Sequence, residues 1–120
     1  MSNGSTVRFT VELTLHEGKF DEFTRIAQDM LACSKKEPGT LGYDWYFSED
    51  RKQCRLLETY VDASAMQAHM AGPAVQEFVP KMLQVSDISG FEVYGDPGAA
   101  GETLKGFGAQ IFGLWRALKE

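Results

Sequence analysis

The sequence predicts an α+β fold in which one antiparallel sheet carries two helices on a single face. Segments with the two-residue periodicity of strands alternate with segments of helical periodicity, in the order strand, helix, strand, strand, helix, strand. Turn-forming residues separate these segments at Gly18, at Pro38 and Gly39, and at Gly72 and Pro73. This order of elements is that of the ferredoxin-like βαββαβ arrangement.

The first strand and the first helix are predicted by their periodicity. Apolar residues at every second position predict a half-buried strand over 6–15. A helix is predicted over 19–35, because Phe20, Phe23, Ala27 and Met30 lie on one helical stripe. Acidic residues in its first turn and lysines in its last turn follow the order that the helix dipole favours.

A β-hairpin is predicted next, with strands over 41–47 and 55–61 and a charged turn between them. Whichever way each strand is turned, one of two bulky sets must face away from the helices: Tyr46, Leu56 and Tyr60, or Tyr43, Trp45 and Leu57. A face this apolar should not stay in water. We therefore expect a second copy of the chain to stack on it, which gives a homodimer.

The rest of the predicted domain comprises two helical segments and a last strand. Asp62 can cap a helix that carries Met66 and His69 on one side. Pro73 can open a further helical segment, which Pro80 should kink. A fourth strand is predicted over 88–95, so residues 1–95 are expected to form one ferredoxin-like domain.

Residues 96–120 are predicted to form a linker and a C-terminal amphipathic helix. Apolar residues recur at helical spacing from Leu104 to Leu118. Gly106, Gly108 and Gly113 should each weaken this helix by ~1 kcal/mol relative to Ala, so packing must hold it. Two roles stay open, namely docking on its own domain or on the partner subunit, and acting as a mobile lid over a cavity. Too few basic residues are present to favour a membrane surface.

Composition and charge exclude several classes of function. The chain has 120 residues, which suits one domain, and 12 basic against 17 acidic residues give a net charge of −5. Since no basic cluster can follow a phosphate backbone, we expect no nucleic-acid partner. No membrane span and no signal peptide are recognisable, so we expect a cytoplasmic protein with no membrane partner. In that compartment Cys33 and Cys54 are interpreted as free thiols.

Two segments carry a resemblance to a known family. Residues 37–43 read Glu-Pro-Gly-Thr-Leu-Gly-Tyr, which is similar to the Glu-Pro-Gly-Cys-Leu-x-Tyr of the antibiotic biosynthesis monooxygenase family. Residues 57–62, followed by Ala68 and His69, resemble the family's Glu-x-Trp and Ala-His. The resemblance covers roughly residues 7–95 and implies the dimeric α+β barrel fold.

The same resemblance carries expectations about activity. Some members oxidise phenolic polyketides or quinols with O₂ and without metal or flavin, some open haem, and others have no known chemistry. Tyr60 stands where the family often has tryptophan. The haem-opening branch needs an asparagine in its first strand, which this chain lacks. The resemblance therefore implies a cofactor-independent monooxygenase acting on a small aromatic phenol or quinol.

His69 and Glu58 are the candidate catalytic residues. A cofactor-free oxygenase must deprotonate its substrate in a dry pocket, and imidazole has an unperturbed pKa of about 6.5. Glu58 is a carboxylate inside an otherwise apolar strand, and burial would raise its pKa into a useful range. The alternative is structural, with His69 bonded to a backbone carbonyl or to Glu58.

The candidate substrate-binding residues are aromatic or adaptable side chains, namely Tyr43, Trp45, Tyr60 and Met66, with Met70 as a further lining residue. All of them could instead be plain core. Nothing clusters at metal-ligand spacing, since His16 and His69 are the only histidines, so no metal or other cofactor is expected. Two other functions stay open: a non-catalytic dimer that binds a small ligand, and a cofactor-free isomerase.

Overall fold

A computed structural model describes residues 5–119; residues 1–4 and 120, at the ends of the two predicted units, lie outside the described residues. The strands are β1 (Val7–Leu15), β2 (Thr40–Phe47), β3 (Gln53–Tyr60), β4 (Ser86–Tyr94) and β5 (Gln110–Phe112). The helices are α1 (Phe20–Ser34), α2 (Ala63–Ala71), α3 (Pro73–Gln76), α4 (Val79–Met82) and α5 (Gly101–Gly106). The strands form one sheet in the order β2-β3-β1-β4-β5. The predicted ferredoxin-like α+β fold is confirmed.

The register of the hairpin decides which side chains face the helices. Trp45 lies opposite Leu56, and Tyr43 lies opposite Glu58. Directly opposed residues project from the same face of a sheet, so Tyr43 and Trp45 of β2 lie on the same face as Leu56 of β3, the face that the helices cover. Tyr43, Leu56 and Tyr60 are buried there.

Neither of the two predicted outward sets is therefore correct. Of the residues in those sets, only Tyr46 and Leu57 face away from the helices, and they are 54% and 40% exposed. Their neighbours on the outer face are largely polar and include Thr10, Glu12 and Arg55. The prediction turned each strand separately, whereas the register of the hairpin puts Tyr43 and Trp45 of β2 on the same face as Leu56 of β3.

Helix α1 covers the half of the sheet formed by β1, β2 and β3. Its buried residues Phe23, Ala27 and Met30 follow the predicted stripe. They pack in one core cluster with Leu13 and Leu56 of the sheet. Burying Phe23 and Met30 stabilises the fold by roughly 1.5–3 kcal/mol each, which helps to hold α1 on the sheet.

Helices α2, α3 and α4 lie beside α1, where α2 contacts β2 and β3 and both α3 and α4 pack against α1. The predicted cap of α2 is present, since Oδ1 of Asp62 accepts a hydrogen bond from the backbone N–H of Ala65 at 2.8 Å. Pro73 opens α3 as predicted. Instead of one kinked helix, α3 and α4 are separate four-residue helices. Pro80 has no N–H to continue the hydrogen bonds of α3, so the chain restarts as a new turn.

The predicted C-terminal helix is present only as α5, and its extension to Leu118 is wrong. Gly108 has a φ of 91°, a left-handed conformation that ends the helix at low cost. The chain then forms β5, which pairs with β4 in parallel and places Ile111 beside Val93. The sheet is therefore mixed rather than wholly antiparallel. Within residues 5–119, no helix has the length and apolar character needed to cross a membrane.

Candidate active site

A cavity of about 150 Å³ lies between the sheet and the helices that cover it. Four side chains with polar atoms contribute to its wall, namely those of Tyr43, Trp45, Glu58 and His69. The other lining residues are apolar: Phe9, Val11, Leu13, Met30, Leu56, Met70, Val75, Val79, Met82, Leu83, Ile88, Phe91 and Phe107. A cavity of this composition suits an apolar ligand with few polar groups.

His69 is held by a carboxylate that comes from a distant part of the chain. Its Nδ1 lies 2.8 Å from Oε1 of Glu37, in the turn before β2, and that oxygen also accepts a hydrogen bond from Oγ1 of Thr40 at 2.7 Å. A carboxylate can only accept, so Nδ1 carries the proton. When the ring is neutral, this tautomer leaves the lone pair on Nε2. The predicted structural alternatives, a backbone carbonyl or Glu58 as the partner, are replaced by Glu37.

Two aromatic rings pack around the imidazole. The ring centroids of Tyr43 and Tyr60 lie 5.1 Å and 5.3 Å from that of His69. His69 itself is only 2% exposed. The imidazole is therefore fixed in orientation by its hydrogen bond and by these rings, and it is shielded from bulk water.

Glu58 lies next to His69 but is not bonded to it. Its Oε1 is 3.8 Å from Nε2 of His69, which is too long for a hydrogen bond, and it accepts a hydrogen bond from the hydroxyl of Tyr60. The pKa of Glu58 is raised to about 8: burial is the main cause, the hydrogen bond from Tyr60 opposes the shift, and the negative charge of Glu37 adds to it. At neutral pH the Glu58 carboxyl is therefore mostly protonated.

The two tyrosines at the site stay neutral phenols. Burial is the largest cause of a raised pKa for Tyr43 and also for Tyr60, and the charge of Glu58 adds to both shifts. Trp45, beside Tyr43, has an indole Nε1 that is buried and has no acceptor among the described residues. A ligand oxygen in the cavity could supply that acceptor.

The structure separates the predicted binding residues into two groups. Tyr43 and Trp45 line the cavity together with the predicted catalytic pair Glu58 and His69. Tyr60 is fully buried and does not line the cavity, and it reaches the site through its hydrogen bond to Glu58 and its ring contact with His69. Met66 packs in a second core cluster with Val7, Val93 and Leu104. Met70 of the same helix lines the cavity instead.

Two residues of the site were not predicted from the sequence. Glu37 stands in the Glu-Pro-Gly segment, but no periodicity links position 37 to position 69. Phe107 belongs to the tail, where apolar spacing predicted a helix rather than a cavity wall. Within the described part of the chain, no three or more His, Cys, Asp or Glu side chains are grouped so that they could hold a metal ion.

Together these features define a small α+β protein of the ferredoxin-like class, with an apolar cavity and a histidine–carboxylate pair on its wall. The model of the antibiotic biosynthesis monooxygenase family matches residues 6–81, more than half of the chain. The chain therefore belongs to that family, as the resemblance of residues 37–43 predicted. A comparison with curated proteins found no match.

Solved structures share this fold at low sequence identity. MupZ from Pseudomonas fluorescens is 21% identical, with a TM-score of 0.83, over 97% of this chain and 95% of that one. A variant of SnoaB from Streptomyces nogalater, a cofactor-independent oxygenase, is 17% identical, with a TM-score of 0.68, over 77% of this chain and 93% of that one. Rv0793 from Mycobacterium tuberculosis is 19% identical, with a TM-score of 0.68, over 74% and 92%.

Proposed function

We propose that this chain is a cofactor-independent monooxygenase that acts on a small aromatic phenol or quinol. One observation carries the proposal: the imidazole of His69 stands on the wall of an apolar cavity while Glu37 holds its Nδ1 at 2.8 Å. Membership of the antibiotic biosynthesis monooxygenase family supports it, and so does the shared fold of SnoaB, an oxygenase of this kind.

The first step is removal of a proton from the substrate hydroxyl by Nε2 of His69. The Glu37 carboxylate stabilises the imidazolium that forms, because opposite charges attract strongly in a buried site. The protonated carboxyl of Glu58 can donate a hydrogen bond to the developing phenolate. Trp45 Nε1 supplies a second donor, since it has no acceptor among the described residues. These groups stabilise the anion without water.

The second step is the reaction of the anion with O₂. The phenolate passes one electron to O₂, and the resulting radical and superoxide join at a ring carbon that carries hydrogen. The peroxide anion takes up the proton held by His69, and the resulting hydroperoxide loses water and leaves a carbonyl group. For 1-naphthol the balance is 1-naphthol plus O₂ to 1,4-naphthoquinone plus water. The ring supplies four electrons, one oxygen atom enters the product, and the other leaves as water.

The size of the cavity limits the substrate. An engineered apolar cavity of about 150 Å³ takes up benzene, and the cavity here has a comparable volume of about 150 Å³. One aromatic ring therefore fits without rearrangement, and a second ring must extend toward the mouth. We propose a phenol or quinol of one or two rings as the substrate.

Oxygen uptake with small phenols, quinols and 1-naphthol tests the proposal. Wild type should consume O₂, and His69→Ala should slow turnover by about 100-fold, the lower end of a general base's usual contribution. His16→Ala is the matched control, because His16 is the other histidine and lies at the surface beside Asp87. No uptake with any compound would overturn the oxygenase proposal.

The two alternative functions are outcomes of the same test. Turnover that continues without O₂ would point to the cofactor-free isomerase, which uses His69 for proton transfer alone. Binding without turnover would point to the non-catalytic ligand-binding dimer. Neither alternative is favoured over the oxygenase by a specific contact of the site.

We also propose that the protein works as a homodimer in the cytoplasm, with the outer faces of two sheets in contact. Tyr46, Leu57 and Tyr94 on that face are 54%, 40% and 37% exposed, and their burial would favour association. Light scattering should give twice the chain mass for wild type. Tyr46→Glu should shift the mass toward the monomer, and a monomeric wild type would contradict the proposed dimer.

A further inference from the structure

We propose that Phe107 is a specificity-determining residue that caps the mouth of the cavity, and that the C-terminal segment serves to place it there. This inference rests on the proposed function in one respect, since it takes the same cavity as the ligand site. It does not depend on the reaction with O₂. It assigns a role to a part of the chain that lies beyond the match to the family model, which ends at residue 81.

The position of the mouth follows from the exposure of the lining residues. Most of them are buried or half-buried, and only Leu83, Ile88 and Phe107 are exposed, at 43%, 40% and 60%. These three residues come from different parts of the fold: the end of α4, strand β4, and the turn after α5. The cavity therefore opens to solvent between them, and Phe107 is the only aromatic residue of this rim.

The chain on both sides of Phe107 is anchored. Leu104 is fully buried and Ala109 is nearly so, and the backbone N–H of Ala109 donates to the carbonyl of Leu104 at 3.0 Å. Beyond them, Ile111 pairs with Val93 in the sheet. Phe107 thus projects from a short turn whose two ends are held by the core.

The turn itself is also hydrogen-bonded, since the backbone N–H of Phe107 donates to the carbonyl of Leu104 at 3.0 Å and that of Gly108 donates to the carbonyl of Lys105 at 2.9 Å. Gly106 and Gly108 flank Phe107, and a Cβ built on either would meet no atom within 4 Å. Gly108 has a φ of 91°, where a residue with a side chain would be strained. The hydrogen-bonded backbone therefore holds the phenyl group of Phe107 at the rim of the cavity. The size of the phenyl group, rather than a hydrogen bond, then decides which ligands are retained.

The fold of the C-terminal segment is shared with a solved structure. The match to MupZ spans 97% of this chain, which leaves only about four residues unmatched, so it includes most of the segment after Gly101. That likeness shows a shared fold and says nothing about ligands. It indicates that placement of the tail beside the sheet is a stable arrangement.

A binding experiment tests the cap. The Trp115→Ala variant leaves Trp45, which lines the cavity, as the only tryptophan of the chain and hence as the reporter of ligand. In this background, Phe107→Ala is compared with the control Leu118→Ala. Leu118 is also an apolar residue of the tail, but it is 99% exposed and does not line the cavity. Stopped-flow quenching by 1-naphthol and by the three-ring anthrone gives the association and dissociation rate constants.

Phe107→Ala should raise the dissociation rate constant of 1-naphthol about tenfold, since a partly buried phenyl group contributes roughly half of the energy of full burial. It should also reduce the preference for 1-naphthol over anthrone. The dissociation rate constant of Phe107→Leu should lie between those of Phe107→Ala and the Trp115→Ala background. That of Leu118→Ala should equal the value of the background. Denaturation by urea checks that each variant is folded, which is expected because Phe107 is exposed.

The results of this experiment separate the proposed cap from the proposed oxygenase. Unchanged rate constants and unchanged size preference in a folded Phe107→Ala would overturn the cap and leave the proposed oxygenase standing. Faster release without O₂ uptake by wild type would support the cap and overturn the oxygenase. No binding of either compound by the background variant would overturn both, because the cavity would then not be the site of such ligands.

Discussion

Nδ1 of His69 lies 2.8 Å from Oε1 of Glu37, although the two residues are 32 positions apart in the chain. The contact joins the turn before β2 to the last turns of α2. It selects the tautomer of His69, because the carboxylate accepts the Nδ1 proton. The orientation of the proposed base is therefore set by a residue that belongs to a different element.

Glu37→Gln should lower kcat by about tenfold or more while KM stays nearly constant. The amide NH₂ can donate to Nδ1, so the glutamine no longer enforces the tautomer with a free Nε2, and it cannot stabilise the imidazolium. Nitrogen NMR of the imidazole should show the loss of the single tautomer. Glu77→Gln, at an exposed carboxylate on the surface, is the matched control. Unaltered tautomer and kcat would contradict the positioning role.

Glu58→Gln should change the dependence of stability on pH. The pKa of Glu58 is about 8 in the folded protein against its usual 4.5, so between these values the folded state holds a proton that the unfolded state has lost. Its contribution is fully present below about pH 4.5 and is lost as pH rises to about 8. Wild type should therefore lose stability relative to the variant, by on the order of 1.4 kcal/mol per pH unit in this window.

Urea unfolding at pH 5 and at pH 8 measures this difference. Glu49→Gln removes an exposed carboxylate in the hairpin turn and is the control. A difference between wild type and Glu58→Gln that is the same at both pH values would show that Glu58 has its ordinary pKa in the folded protein.

Tyr60→Phe should raise the pKa of Glu58 further. The hydroxyl of Tyr60 donates to Oε1 of Glu58 and thereby favours the charged carboxylate, so its removal leaves burial less opposed. Carbon NMR of the Glu58 carboxyl should follow the titration in both proteins. Tyr94→Phe is a close control, because Tyr94 makes the same type of bond to Glu92 at the surface, at 2.5 Å. A downward shift in Tyr60→Phe would contradict the assigned hydrogen bond.

Gly39→Ala should destabilise the protein by about 1–3 kcal/mol and disturb the Glu37–His69 contact. A Cβ at position 39 would overlap the Cβ of Ala65 in α2, because the turn and the helix touch here. Ala65→Gly alone should cost ~1 kcal/mol through helix propensity. The double variant should be more stable than the sum of the two changes predicts, since it removes the overlap. Additive free energies of unfolding would mean that the two positions do not touch.

Much of the fold follows from local patterns. The stripe of Phe23, Ala27 and Met30 predicted α1, and Asp62 predicted the start of α2, because periodicity and capping depend on residues a few positions apart. The tail shows where such patterns fail. Its apolar spacing favoured a helix to Leu118, yet Gly108 and the free edge of β4 gave a short strand instead.

The sequence by itself determined the order of the elements up to β4, the family, and the candidacy of His69, Glu58, Tyr43 and Trp45. Only the tertiary structure decided that these four share one cavity, that Glu37 holds His69, and that Phe107 stands at the mouth. The physical reason is that helix caps and stripes depend on near neighbours. Strand register, the pairing of residues 32 positions apart and the path of the tail depend on the packing of the whole chain.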